Sequence, residues 1–150
     1  MQTQQAMELG ERISALVEAG QVRKAHILLA PTLAARTPFP ILECIGEVIG
    51  AGSPEAVNVF LDHIAAAKTI GGWVVIGGAL RAQLDRDLAS SFARCRDYII
   101  AADVWYATDI LGERVPGPAL LIDLRGYDLR FGRPPFVATK SGMVGTAKLT

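Results

Sequence analysis

Along most of the chain, apolar residues recur every three or four positions, the spacing that gathers them on one face of an α-helix. Between Gln2 and Glu18 the stripe is Ala6, Leu9, Ile13, Leu16 and Val17, and Gly20 stands where a C-terminal glycine cap belongs. Val22 to Leu29 predicts a second helix through Ala25, Ile27, Leu28 and Leu29, interrupted by Pro31. Thr37-Pro38-Phe39-Pro40 reads as a connector, because each proline biases the residue before it away from helix. Ile41 to Ile49 follows as a third helix, closed by Gly50-Ala51-Gly52. Ser53-Pro54-Glu55 is the clearest helix start. Its serine can accept from a first-turn amide, its proline fits the first helical position, and its glutamate complements the dipole. Val57, Phe60, Leu61, Ile64 and Ala65 carry that helix to Lys68, and Gly71-Gly72 is expected to end the unit.

Gly72 to Gly78 has the composition of a strand, yet Trp73, Ile76, Leu80 and Leu84 recur at three and four. Leu88, Phe92, Cys95 and Ile99 continue the phase, so the stretch reads as helix, packed closely through Gly77 and Gly78. Asp87 is expected to cap a helix over Leu88–Ala102, and Asp103 another over Val104 to about Glu113. Helix starts near 22, 41, 54, 72, 88 and 104 pair into a period of roughly thirty to thirty-five residues, as in stacked helical hairpins. The expected fold is all-α, an α-solenoid of antiparallel HEAT-like hairpins over residues 1–123. Residues 124–150 lose the helical period and carry five basic residues against one acidic. They read either as an irregular tail or as the mark of a truncated or frameshifted chain.

Composition narrows the classes. The 150 residues are 51% hydrophobic and 20% charged, which fits one globular domain and excludes intrinsic disorder. Ile70 to Leu80, the longest uncharged apolar stretch, is too short for a membrane span. The start lacks the basic and apolar run of a secretory signal, so a cytoplasmic protein is expected. Zero net charge is a cancellation: residues 1–110 hold nine Lys/Arg against twelve Asp/Glu, and residues 111–150 six against three. An acidic body counts against nonspecific nucleic-acid binding. Arg81, Arg86, Arg94 and Arg96 form a local basic stripe all the same, unless they pair with Asp85, Asp87 and Asp97.

Cys44, Cys95, His26 and His63 show no metal-ligand spacing, and no nucleophile elbow or phosphate-binding glycine loop is present. Cys95 lies on an apolar seam and reads as core; His63 reads as a boundary histidine. The candidate chemistry sits in Asp103-Val104-Trp105-Tyr106-Ala107-Thr108-Asp109. With Ile100, Val104, Ala107 and Leu111 as the buried face, Trp105 and Asp109 project together, roughly 130° or more from its centre. An aromatic ring beside a carboxylate can cover a sugar or attract a cation, and can orient a water. The plainer arrangement has Trp105 packed on a following repeat and Asp109 paired with an arginine.

This segment and the repeat spacing, over roughly residues 54 to 122, resemble the DNA alkylation repair family of HEAT-like repeat proteins, the AlkD-like alkylpurine glycosylases. The resemblance implies that Trp105 stacks on the lesion-bearing deoxyribose. Asp109 would be the catalytic carboxylate, stabilising the oxocarbenium-like sugar and positioning the attacking water. Alkylation at N3 or N7 makes the purine cationic and a good leaving group, so charge stabilisation and placement suffice, without metal or cofactor. Alkylated double-stranded DNA would be the partner, with Arg81, Arg86, Arg94, Arg96 and Tyr106 as contacts. The alternative is a non-catalytic scaffold binding a protein partner on its concave face, with Trp105, Tyr106 and Tyr98 as anchors. A third reading is a helical subunit that completes its core by oligomerising.

Overall fold

A computed structural model describes residues 1–118; the expected domain end at 123 and the tail 124–150 lie outside the described residues. Within them the chain is all-helical, with α1 Thr3–Glu18, α2 Val22–Ala34, α3 Phe39–Gly50, α4 Pro54–Ala66, α5 Ile70–Gln83, α6 Leu88–Ala102 and α7 Trp105–Arg114. The odd-numbered helices pack successively, α1 on α3, α3 on α5 and α5 on α7, while α2 and α4 form the second row. Helix α6 joins that row by reaching α4 through Arg94 and Tyr98. Gly71, near the start of α5, faces Leu42 near the start of α3. Arg86, just beyond α5, reaches Gly50 and Gly52 at the end of α3. These two helices are therefore parallel, as stacked hairpins require.

Most boundaries follow from local chemistry. Gly20 takes φ +75°, its N–H donates to Val17 and that of Gln21 to Leu16, which closes α1 with paired carbonyls. Asp87 accepts from the Ser90 amide at 3.0 Å and starts α6 as expected. Ser53 precedes α4 but does not cap it with its side chain. Its hydroxyl and amide both donate to Glu18 Oε2, at 2.9 and 3.2 Å, and tie α4 to the end of α1.

Four expectations need correction. Pro31 lies inside α2 without ending it: the carbonyl it leaves unpaired belongs to Ile27, whose side chain is 71% exposed, so water is at hand. Phe39 and Pro40 belong to α3, because proline in the first turn lacks only an amide with no helical partner there. Gly71 and Gly72 open α5 instead of closing the previous unit; Lys68 at φ 51° makes the turn, and the Thr69 hydroxyl accepts from the Gly72 amide. Asp103 ends α6 in the left-handed conformation, φ 52°, and α7 starts after extended Val104 without a side-chain cap.

Helix α5 is the axis of the core. Every residue from Gly72 to Leu80 is buried, because α3 and α7 flank it while α4 and α6 cover it. That placement explains its apolar run without a polar face. Glycine allows the closest approach: a Cβ on Gly46 would lie 2.2 Å from the Val75 carbonyl oxygen, and one on Gly50 2.3 Å from that of Ala79. Gly78 meets the Glu43 backbone in the same way, at 2.6 Å.

Candidate ligand-contact face on the last helix

Helix α7 buries Ala107, Ile110, Leu111 and Arg114. Trp105 and Asp109 therefore point roughly 150° or more from the centre of the buried face. Trp105 is 77% exposed, the most exposed large apolar side chain among the described residues. Its indole meets the half-buried Tyr106 ring edge-to-face, with centroids 5.9 Å apart. Asp109 is exposed, and its carboxylate makes no ion pair or hydrogen bond among the described residues. Asp109 thus has no arginine partner there, and a repeat following α7, on which Trp105 was expected to pack, lies outside the described residues.

The joint between α6 and α7 opens a shallow cleft of about 450 Å³, lined by Ile99, Ile100, Asp103, Val104, Trp105 and Thr108. Asp103 brings a carboxylate to this cleft, and Asp109 stands one helical turn from Trp105 outside it. Sequence reasoning had Asp103 as a cap and so missed it as a cleft residue; its signal was an aspartate two positions from an exposed tryptophan. Ile100 also departs from expectation. It is 69% exposed on the cleft wall, because α6 ends two residues later and turns Ala102 inward instead. An indole, apolar walls and two nearby carboxylates suit a flat or cationic group.

The four arginines of the expected stripe do not converge on this face. Arg81, on α5, pairs with Glu47 at 3.0 Å and Glu43 at 3.4 Å on α3. Arg86 donates to the Gly50 and Gly52 carbonyls in the α3–α4 turn. On α6, Arg94 pairs with Asp62 of α4 at 2.7 Å and donates to the Asn58 carbonyl and the Tyr98 hydroxyl. Arg96 does pair within the local acidic set, with Asp97 at 3.1 Å on an exposed surface. Three of the four thus reach back about one repeat and stitch successive hairpins.

Arg114 reaches further back, from α7 across two repeats to α3. It is 6% exposed, pairs with Glu43, donates to the Ile110 carbonyl at 3.0 Å and lies 5.6 Å from the Phe39 ring centroid. Glu43 and Arg114 were not singled out in the sequence, since residues 71 positions apart carry no local signal. Tyr98 is 7% exposed, and its hydroxyl donates to Asp62. Burial first, and then that hydrogen bond, push its pKa up, and Tyr98 is no surface anchor.

Cys95 is core as expected, and burial pushes its thiol up to about 12. No group of three or more His, Cys, Asp or Glu side chains is placed to hold a metal ion among the described residues. No described helix is long and apolar enough to cross a membrane. Comparison with protein-family models, characterised proteins and solved structures finds no match to this chain.

Proposed function

We propose that the Trp105–Asp109 face of this helical-repeat protein contacts alkylated duplex DNA and that the chain is an alkylpurine DNA N-glycosylase. The observation that supports the reading is an exposed tryptophan one helical turn from a carboxylate that has no partner among the described residues. Trp105 covers the deoxyribose of the lesion, and Asp109 stabilises positive charge on the sugar as the cationic purine departs. Asp109 also orients the water that replaces it. The Asp103 carboxylate in the adjoining cleft adds to the attraction for positive charge. Tyr106 supports the indole edge-on. Of the expected phosphate contacts, Arg96 has an exposed side chain, 63% accessible.

A second reading is favoured by the commitment of Arg81, Arg86 and Arg94 to contacts between repeats. In it, the same indole and carboxylates receive a basic side chain of a protein partner. Fluorescence separates the two. The chain has two tryptophans, and Trp73 is 1% exposed, so quenching by ligand reports Trp105. Methylated duplex DNA is expected to quench the emission saturably, with affinity falling steeply as salt rises. Trp105→Phe should remove the response. Quenching by a lysine-rich peptide and none by DNA would select the second reading.

A further inference from the structure

The second row of helices carries a cluster outside that face. Arg23, His26, Ile27 and Ala30 fall on one side of α2, at helical spacings of three and four. His63 of α4 stands opposite, its ring 4.8 Å from that of His26 and perpendicular to it. Together these five residues line a cleft of about 360 Å³. We propose that this cleft binds a small phosphate ester, whose phosphoryl oxygens accept from Arg23, His26 and His63.

Three features point to an anion. Among the described residues the lining holds a guanidinium and two imidazoles and no carboxylate. Asp62, the neighbour of His63, is turned to the other side of α4, where it pairs with Arg94 and accepts from Tyr98. Arg23 is exposed, and its guanidinium has no carboxylate partner among the described residues. Helices α1 and α5 also pack on α2, but neither brings a charged or titratable group to the cleft. Ile27, 71% exposed, and Ala30 give an apolar wall for the organic part of the ester. The volume suits a small molecule, and a phosphomonoester near neutral pH carries close to two negative charges.

The histidines make the binding proton-linked. In the free protein, burial and then His63 hold His26 below its ordinary pKa. A bound dianion reverses that repulsion and allows both rings to donate, so binding takes up protons and tightens as pH falls. This inference does not rest on the reading of α7, because among the described residues the cleft is built from α2 and α4.

Inorganic phosphate is the probe, titrated into the full chain while the histidine ring signals are followed by NMR, against chloride at matched ionic strength. The His26 and His63 signals should move together and saturate with phosphate only. Affinity for the dianion, whose share falls as phosphate itself takes up a proton, should tighten from about pH 8 to about pH 6. Arg23→Ala, at an exposed position, should weaken it roughly tenfold, the loss of one charge-assisted contact. Arg12→Ala, at an exposed position on α1 outside the cleft lining, should leave it unchanged. No saturation, an equal response to chloride, or full affinity in Arg23→Ala would overturn the proposal.

Discussion

Replacing Gly50 by alanine perturbs one of the two closest backbone approaches between α3 and α5, and the structure sets its size. The added methyl carbon would lie 2.3 Å from the Ala79 carbonyl oxygen and 2.7 Å from its Cα. Ordinary contact begins at 3.4 Å, and 3.4 − 2.3 leaves a shortfall of 1.1 Å. Backbone atoms of a fully buried helix cannot rotate aside, so α3 and α5 must separate. Overpacking of this kind costs about 3 kcal/mol, the upper part of its usual range. The gain in helix propensity of alanine over glycine offsets about 0.5–1 kcal/mol. A net loss of about 2 kcal/mol is expected, lowering the Tm by roughly 10 °C. Gly112→Ala is the control, since nothing among the described residues lies within 4 Å of its Cβ position, and it should raise stability by about 0.5–1 kcal/mol. Urea unfolding followed by helical circular dichroism measures both. A Gly50→Ala protein within about 0.5 kcal/mol of the parent would refute the argument that these backbones are locked together.

Glu43→Gln should destabilise the fold by about 3 kcal/mol, because it leaves the buried Arg114 guanidinium without its carboxylate. Arg114→Met should cost less, since it keeps the packing volume and Glu43 retains Arg81; equal losses would contradict that division. Arg96→Ala removes an exposed pair and should leave unfolding unchanged. For His26, the folded pKa lies below the ordinary value of 6.5, so on acidification the unfolded chain takes up the proton first. Stability should therefore fall as pH drops from 6.5 through the folded pKa, and His26→Asn should flatten the fall. An unchanged profile in that variant would place the titration elsewhere.

The fold was legible where one residue determines one local event. Gly20 and Asp87 act as the sequence suggests, and the seam of Val57, Phe60, Leu61 and Ile64 is buried. Helix α5 was harder, because a helix enclosed on all sides has no polar face to mark its period. Its phase survived only in Trp73, Ile76 and Leu80. At the site, the outward direction of Trp105 and Asp109 followed from spacing on α7 alone. The arginines did not yield in the same way. Local acids stood nearby at Asp85, Asp87 and Asp97, but Arg81, Arg86 and Arg94 bond to groups 32 to 38 positions earlier. A contact at that separation depends on how repeats stack, which no short pattern encodes. Asp103 failed for a related reason, since one aspartate can serve either helix end and only the chain's turn between α6 and α7 decides.

The proposed glycosylase role requires Asp109 to act as a working carboxylate beside the exposed Trp105. Release of alkylated purine from methylated duplex DNA, by the parent chain and by Asp109→Asn, is the decisive measurement. Release by the parent, a loss of about 10²–10³-fold in Asp109→Asn, and identical unfolding curves for the two are expected. Equal release by both, or none from a folded parent chain, would contradict that role.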